Sequence, residues 1–439
     1  MSYLEYPKTR PDANALIKFF KDLKKNPRTQ STQSKPTFVP NPDDGPITID
    51  YLGAPCGSGK TYGLVETAKA IVDQGGIVVI SQPTVLLNSE TRQSDGFKDW
   101  AGKIDVIHTE TPVKRLQGRC EIKNDYTPEP GVILTTHGTI LNIREPFNGM
   151  QNVHLLIDEI PSGSNEFSVE ISMHHGTITD HLGIVEESTD GCWVRLEMID
   201  GHEDDLREIL KHRKTDRLCE KLFDPALVFL SNSYDVWTRR HSYANLLSGL
   251  FKNNDSHILS FYFELRPEIF QPWKSNLIAG ANFENSLLYL SFQDKGVVFR
   301  EDLTTPLRFR SHQNGHLTDI IDFGKEKLSQ TWLKKVHDGQ SYGQHIANDG
   351  AKVFEGEPFT WTENSTLEYN LESVGGERLP NYPFGLNTFS KYHNILCLHA
   401  ANPTPGFQSF LKWRGRTDDQ IWKAIQGESV SYAGNWVTG

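Results

Sequence analysis

The segment that most constrains this chain is Ala54 to Thr61, which reads APCGSGKT in one-letter code. It fits the phosphate-binding loop pattern, in which A/G-x-x-x-x-G-K-S/T joins a strand to a helix. A strand-like run over 47–52 precedes it, and a helical run over 62–72 follows. Glycines in such a loop let backbone N–H groups turn inward around an anion, and the helix adds its positive end. The residues predicted to cradle the phosphates are Pro55, Cys56, Gly57, Ser58, Gly59, Lys60 and Thr61.

A second motif is the apolar run over 153–157, which ends in Asp158 and Glu159. Such a run is typical of a strand buried on both faces of a parallel sheet, and ligands bind at the carboxyl ends of such strands. Lys60 would reach the β- and γ-phosphates, while Thr61 and Asp158 would hold Mg²⁺. Glu159 would polarise the attacking water. The two motifs together predict a nucleoside triphosphatase with Lys60, Asp158 and Glu159 as catalytic residues and with ATP and Mg²⁺ as cofactors.

Strands and helices alternate through the first half of the chain, which predicts an α/β fold with a parallel sheet. The rhythm breaks over about 165–260, where 185–198 is typical of a β-hairpin and 202–222 of a charged helix. We interpret this stretch as an α+β insertion. The strands predicted for the α/β part lie at 47–52, 77–81, 104–108, 132–135, 153–157, 258–264 and 276–279.

The rest of the chain forms two further parts. Residues 1–45 are polar, with a candidate helix at 13–25 followed by a flexible linker. A second αβ block runs over about 310–439 and has no phosphate loop of its own. We therefore expect a polar segment over 1–45, a first parallel-sheet domain over 46–300 with its insertion, and a second domain over 301–439. Strands in the second domain are predicted at 358–361 and 394–399.

Composition excludes several classes of protein. The 45 basic and 56 acidic residues give a net charge of −11, which argues against broad, non-specific adhesion to nucleic acid. No apolar run approaches the length of a membrane span, and the first residues lack the apolar core of a signal peptide. The five cysteines are scattered without metal-ligand spacing, so a cytoplasmic location with neither a zinc site nor a disulfide framework is expected. His174, His175 and His181 are interpreted as solvated loop histidines.

The order of several segments resembles the superfamily 2 helicases and translocases, specifically the DEAD/DEAH-like branch common among phage-encoded replication proteins. The strongest matches are 54–61, which resembles motif I, and 158–161, which resembles motif II. The resemblance covers roughly 46–165 and 270–410 and leaves the insertion out. The weaker matches are 82–84 to motif Ia, 135–137 to motif Ib, 280–282 to motif III, 360–364 to motif IV and 385–387 to motif V.

This resemblance implies a P-loop NTPase in which two RecA-like domains hold ATP in the cleft between them. Thr84, Thr135 and Thr136 would contact the phosphates of a bound strand, DNA more than RNA, without reading its sequence. Closing and opening of the cleft with each ATP would then move the strand stepwise. A phage-encoded protein of this kind would work in the host cytoplasm. The residues implied to couple the nucleotide site to the strand are Gly280, Ala281 and Asn282.

One departure from the family concerns motif VI, whose arginines stabilise the γ-phosphate across the cleft. The chain has no counterpart of that motif, so we expect the second domain to be incomplete, and we interpret Arg414 and Arg416 as surface charges. Two alternatives therefore stay open: a nucleotide- and nucleic-acid-binding protein that does not translocate, and a packaging ATPase of the terminase type. The packaging ATPase would need a nuclease centre, for which the chain offers Asp418, Asp419 and Glu363.

Overall fold

The computed structural model of the chain describes residues 45–107, 129–143, 146–147, 149–171, 174–248, 258–311, 330–363, 369–379, 389, 391–398 and 402–425. The candidate helix at 13–25 and the match to motif V at 385–387 lie outside these residues, as does Cys120. Of the match to motif IV, 360–363 are described.

The described strands build four sheets. In chain order they are β1 (Thr48–Gly53), β2 (Ile77–Gln82), β3 (Ile104–Ile107), β4 (Gly131–Thr136), β5 (Val153–Asp158), β6 (Ser164–Glu170), β7 (Leu182–Glu187), β8 (Trp193–Met198), β9 (Tyr234–Arg239), β10 (Ile258–Leu265), β11 (Ser275–Gly280), β12 (Val298–Glu301), β13 (Val336–His337), β14 (Gln340–Ser341), β15 (Phe359–Glu363), β16 (Gly376–Arg378) and β17 (Asn394–Leu398).

The helices cover the faces of these sheets. In the described parts of the chain, none of them is both long enough and apolar enough to cross a bilayer. The α-helices are α1 (Lys60–Asp73), α2 (Val85–Gln93), α3 (Asp95–Lys98), α4 (His137–Leu141), α5 (Gly176–Thr179), α6 (Glu203–His212), α7 (Arg217–Ser231), α8 (Arg240–Leu247), α9 (Leu287–Asp294), α10 (Gln330–Leu333), α11 (Tyr342–Lys352) and α12 (Pro405–Trp413).

Seven parallel strands form the central sheet, in the order β12-β1-β11-β5-β2-β4-β3. Its inner strands are buried on both faces. Successive side chains of a strand point to opposite sides of the sheet, so each inner strand contributes to two cores. Leu155 and Leu156, for example, belong to two different apolar cores, one on each face. This architecture confirms the predicted α/β class, and the observed strand ends differ from the predicted ones by a residue or two.

The insertion is a five-stranded antiparallel sheet in the order β6-β10-β9-β8-β7, and it lies between β5 and β11 in the chain. The predicted hairpin at 185–198 is confirmed as β7 and β8. The assignment of 258–264 to the α/β part was wrong, because Ile258–Leu265 pairs antiparallel with β6 and β9. This strand is buried on both faces, with Phe261 in one core and Tyr262 in another, so its apolar run resembles that of a parallel-sheet strand.

One face of the inserted sheet is covered by α6, α7 and α8. The single helix predicted over 202–222 is two helices, and the break between them has a local cause. The carboxylate of Asp216 accepts from the N–H groups of Leu218 at 2.7 Å and Cys219 at 2.9 Å. A side chain that satisfies two free N–H groups starts a new helix, so α7 begins at Arg217.

The second block contains a small parallel sheet in the order β16-β15-β17 and the short hairpin β13-β14. Trp361, Leu371 and Leu396 are buried in its core together with Ala347 of α11. The strands predicted at 358–361 and 394–399 are confirmed as β15 and β17. The assignment of 301–439 to a second RecA-like domain stays a prediction.

The end of the described chain packs against the inserted sheet on the face opposite α7. In α12, Phe410 stacks on Tyr262 with ring centroids 5.3 Å apart, and Trp413 stacks on Trp193 at 5.3 Å. Trp237 contacts the same Trp413 at 4.7 Å. Aromatic pairs at these separations add to the free energy gained by burying their area. Residues 402–425 are therefore anchored on the inserted sheet.

This packing corrects the interpretation of Arg414 and Arg416 as surface charges. Arg414 Nε donates to Oε2 of Glu264 at 2.7 Å, and the Glu264 side chain is only 1% exposed. Arg416 is itself buried and pairs with Asp294 at 2.6 Å. Arg414 therefore holds the end of α12 on the inserted sheet, and Arg416 holds the residues after α12 on α9, because a buried charge needs a charged partner.

Candidate nucleotide-binding site

The predicted phosphate loop lies at the carboxyl end of β1, where the chain turns into α1. Gly57 and Gly59 have φ angles of 73° and 84°, in the left-handed region that glycine adopts without strain. The helix begins at Lys60, immediately after Gly59, so its free N–H groups face the loop. The loop therefore has the backbone form that an anion-binding site requires.

Thr61 and Asp158 meet at this loop although they are far apart in sequence. Strand β11 separates β1 from β5, and Asp158 lies at the end of β5. Thr61 Oγ1 donates to Asp158 Oδ2 at 2.8 Å. Lys60 Nζ donates to the carbonyl oxygens of Ala54 at 3.3 Å and Pro55 at 3.2 Å, which keeps its ammonium inside the loop. Lys60, Thr61 and Asp158 thus form one cluster.

Gln82 fixes the orientation of the Asp158 carboxylate from the other side. Its Nε2 donates to Asp158 Oδ2 at 2.9 Å and lies 2.9 Å from Thr91 Oγ1. Burial raises the pKa of Asp158, while the hydrogen bonds from Gln82 and Thr61 and the charge of Lys60 act in the opposite direction. Sequence reasoning placed Gln82 in a motif and gave it no role.

His137, the first residue of α4, contacts the same strand end. Its Nε2 lies 3.1 Å from the carbonyl oxygen of Asp158. Burial lowers the pKa of His137 to about 4, so the ring is neutral at physiological pH. A neutral ring in this place supports the backbone of β5 through a hydrogen bond and adds no charge to the site.

Glu159 follows Asp158 in an uncommon backbone conformation, with φ of 69°. Residues other than glycine rarely occupy this region, and they do so mostly at functional sites. Burial raises the pKa of Glu159; Lys60 lowers it and Asp158 raises it further. A carboxylate next to the ammonium of Lys60 and the end of β5 lies where a general base for an attacking water would act.

Two buried oxygen atoms make the cluster fit a phosphate and a hard cation. Ser58 Oγ and Asp158 Oδ1 are buried and have no hydrogen-bond partner among the described residues. An oxygen that is buried without a partner is costly unless a ligand engages it. Thr61 Oγ1 and Asp158 would hold Mg²⁺ here, since hydroxyl and carboxylate oxygens are its preferred ligands.

Burial raises the pKa of the Cys56 thiol, so the thiol stays protonated and its role is packing.

Arg308 is a residue near the loop that the sequence motifs did not indicate. After β12 the chain returns over α1, and the N–H of Arg308 donates to the carbonyl oxygen of Ser58 at 2.9 Å. A Cβ added to Gly59 would lie 3.1 Å from Arg308 Cγ and 3.6 Å from its Nε. The guanidinium is exposed and has no ion pair within the described parts of the chain. The site therefore has a second cation, about 250 residues away in sequence.

The three threonines predicted to contact a nucleic-acid strand occupy different environments. Thr84 caps α2, with its Oγ1 accepting from Leu87 N at 3.1 Å, and is partly exposed. Thr136 precedes α4 and its Oγ1 lies 3.1 Å from Thr139 Oγ1. Thr135 is 1% exposed and donates to the carbonyl oxygen of Ile107 at 2.6 Å. The predicted phosphate contact by Thr135 does not fit this geometry, because its hydroxyl is buried and already engaged.

The predicted coupling segment ends β11 beside the phosphate loop. Gly280 pairs with Gly53 of β1, and a Cβ on Gly280 would lie 2.2 Å from Ile160 Cγ1, so no larger residue fits there. Ala281 follows Gly280, and Asn282 has φ of 59°. This segment therefore touches both the strand of the loop and the residue that follows Glu159, the two ends of the candidate site.

The carboxylates considered for a nuclease centre are paired with lysines or lie in another sheet. Asp418 pairs with Lys412 at 2.8 Å, and Asp419 pairs with Lys423 at 2.8 Å. Glu363 is buried in β15, within another sheet. In the described residues, these three acids form no group that could hold a metal ion. The structure therefore offers no support for the packaging-nuclease alternative.

Comparison with known proteins finds no family model that matches the chain and no curated protein that matches it. Among solved structures, one described as an XPD helicase matches with a TM-score of 0.42 and 10% sequence identity, and the match covers 89% of each chain. A likeness this distant assigns neither an activity nor a substrate to the chain.

Proposed function

We propose that the chain is an ATP-dependent helicase or translocase acting on nucleic acid. The observation that carries the ATPase part is the hydrogen bond of 2.8 Å from Thr61 to Asp158, which joins the phosphate loop to the acidic strand end. Loops of this form with an acidic strand end beside them hydrolyse nucleoside triphosphates. The order of the motifs along the sequence supports the nucleic-acid part.

Each residue of the cluster has a distinct task in this proposal. The loop N–H groups and Lys60 bind the β- and γ-phosphates, and Glu159 orients the attacking water and accepts its proton. Thr61 and Asp158 hold Mg²⁺, which when bound neutralises charge on the phosphates. Gln82 keeps the Asp158 carboxylate in place, so the cluster is ordered before ATP arrives.

The nucleic-acid strand would bind near the ends of β2 and β4. Thr84 and Thr136 remain the proposed phosphate contacts, since a hydroxyl that makes one hydrogen bond, to Leu87 N or to Thr139 Oγ1, can still make another to a phosphate. Such contacts position a strand without reading bases. The segment over 280–282 would transmit the state of the nucleotide, because it touches the phosphate-loop strand and Ile160.

A protein that binds nucleotide and nucleic acid without translocating remains a second candidate. The observation that favours it is the engagement of Arg414 and Arg416 with Glu264 and Asp294. Arginines held in this way are not available to act on the γ-phosphate across a cleft, and such an arginine contributes about 10³-fold or more to hydrolysis in related enzymes.

The test is an ATPase assay of the whole chain with single-stranded DNA, double-stranded DNA, RNA and no polynucleotide. We expect Mg²⁺-dependent phosphate release that one class of polynucleotide raises about tenfold or more, since strand binding and the nucleotide site are coupled. Binding of ATP without phosphate release on any polynucleotide would instead favour the second candidate. Hydrolysis that no polynucleotide alters would remove the helicase proposal.

Replacing Arg308 with Ala should lower the rate of hydrolysis about 10- to 100-fold, because the guanidinium lies beside the phosphate loop and would contact the phosphates. The alanine keeps the backbone hydrogen bond to Ser58, so the change removes the side chain alone. Arg300→Ala is the matched control, since Arg300 is exposed and pairs with Asp50 on β1. Equal kcat values for the Arg308 and Arg300 variants would show that Arg308 takes no part.

A further inference from the structure

We propose that the insertion binds one zinc ion through His181, His202 and Asp205. The Nδ1 atoms of the two histidines lie 3.0 Å apart, and Asp205 Oδ2 lies 3.1 Å from His202 Nδ1 and 3.5 Å from His181 Nδ1. In the described residues this is the group of histidine, cysteine and acidic side chains whose ligand atoms all come close enough to share an ion. The site is independent of the proposed nucleotide chemistry.

The spacing of the three atoms matches one face of a tetrahedral zinc site. Zinc binds histidine nitrogen and carboxylate oxygen at about 2.0–2.2 Å, so its ligand atoms lie about 3.3 Å apart. Three atoms with the observed separations are equidistant from a point about 1.9 Å from each in their plane. An ion about 0.9 Å out of that plane would therefore reach all three at the ordinary bond length, with its fourth position open to water.

Hydrogen bonds among the three atoms satisfy them less well than a bound cation would. Each neutral imidazole has one N–H donor and one acceptor nitrogen. If both rings carry their hydrogen on Nδ1, two N–H groups face each other across 3.0 Å. If one ring does, a single proton is shared between the second ring and the carboxylate of Asp205. A cation at the centre would engage the lone pairs of all three atoms at once.

The place of the cluster in the fold would let an ion link two parts of the insertion. His181 directly precedes the edge strand β7, whereas His202 and Asp205 lie at the start of α6. A bound ion would therefore connect the edge of the inserted sheet to the helices that cover it. The side chain of His181 is 19% exposed and that of Asp205 55% exposed, so an ion can enter from solvent. The acids Asp200, Glu203 and Asp204 surround His202 in sequence and favour a cation there.

Spacing along the chain could not reveal this site. The histidines that stand together in sequence do not meet: His175 Nδ1 instead lies 2.9 Å from Thr179 Oγ1. The interpretation of His181 as a solvated loop residue is thereby corrected. His181 and His202 come together because the β7–β8 hairpin brings its two ends side by side, pairing Leu182 with Met198.

Titration of the whole, untagged chain with Zn²⁺ by calorimetry tests the proposal, with Mg²⁺ in excess to occupy the nucleotide site. We expect one tight equivalent and a higher melting temperature with Zn²⁺. Co²⁺ should give the intense visible absorption of a tetrahedral ion, without the near-ultraviolet band of a thiolate ligand. His202→Ala and Asp205→Asn should each weaken binding about 100-fold or more, since even residues behind the ligands contribute 10- to 100-fold in such sites.

His212→Ala and Glu208→Gln are the matched controls, because both residues lie on α6 outside the cluster. They should bind Zn²⁺ as the unchanged chain does. Far-ultraviolet circular dichroism without metal establishes whether each variant folds. The proposal is overturned if the unchanged chain binds no tight equivalent, or if folded His202→Ala and Asp205→Asn variants bind Zn²⁺ as tightly as the controls. A weak cobalt spectrum typical of six oxygen ligands would overturn it as well.

Discussion

Glu159→Gln is expected to reduce ATP hydrolysis about 10³-fold while leaving ATP binding nearly unchanged. The amide keeps the size of the carboxylate and cannot take a proton from water, and a general base contributes about 10²- to 10⁴-fold. Removing the negative charge beside Lys60 should not weaken the binding of the ATP phosphates, because they are negatively charged themselves. Phosphate release measures the first effect, and equilibrium binding of a fluorescent ATP analogue measures the second.

Lys60→Ala is the informative contrast, because it removes the cation that binds the phosphates. We expect it to weaken nucleotide binding and abolish hydrolysis together, whereas Glu159→Gln separates the two. Lys69→Ala serves as a matched control, since Lys69 lies on the same helix and pairs with Glu66, away from the loop. If Glu159→Gln hydrolysed ATP at the rate of the unchanged chain, Glu159 would not be the base and the site would need another one.

Arg414→Met should release α12 from the insertion, with a loss of about 3 kcal/mol in the free energy of unfolding that helix. The methionine can fill the space of the arginine stem, yet it leaves the Glu264 carboxylate buried without its charged partner. Breaking a buried pair from one side costs about 3–5 kcal/mol, and the partial exposure of Arg414 reduces that cost. Denaturant titration followed by tryptophan fluorescence reports the change, because Trp193, Trp237 and Trp413 meet at this contact.

The double variant Arg414→Met with Glu264→Gln separates the charge from the packing. It should recover much of the lost stability, because a neutral amide is far cheaper to bury than a carboxylate. Lys412→Ala removes an exposed pair with Asp418 and should cost at most about 0.5 kcal/mol. Equal losses for Arg414→Met and Lys412→Ala would mean that the buried pair does not hold the helix.

The backbone of the predicted phosphate loop and the position of the acidic strand end were predictable because their signals are local. The pattern over 54–61 specifies its own backbone: its glycines adopt left-handed φ angles and its lysine starts a helix. The run over 153–157 predicted a buried strand for the same reason, since period and hydrophobicity are read from adjacent residues. The acids after it then had to lie at the carboxyl edge of the sheet.

For the strand over 258–265 and the arginines after α12, local sequence signals could not predict the pairing partners. An apolar strand with both faces covered has the same pattern in a parallel sheet and in the inserted antiparallel one, so its partners remain undetermined. Arg414 and Arg416 follow an apolar helix, and no residue near them in sequence indicates that they pair with Glu264 and Asp294. Thr135 is a further example: a threonine hydroxyl is often exposed, but here it is buried in the sheet and donates to the carbonyl oxygen of Ile107.

By itself, the sequence determined the backbone of the predicted phosphate loop, the Asp158–Glu159 strand end and the α/β class, because each depends on residues that are neighbours along the chain. Only the tertiary structure decided that Arg308 lies at the loop, that Gln82 holds Asp158, and that His181 meets His202 and Asp205. Those contacts depend on the order of strands in two sheets and on how the chain returns after β12. Strand order follows from packing across the whole fold, and no local pattern encodes it.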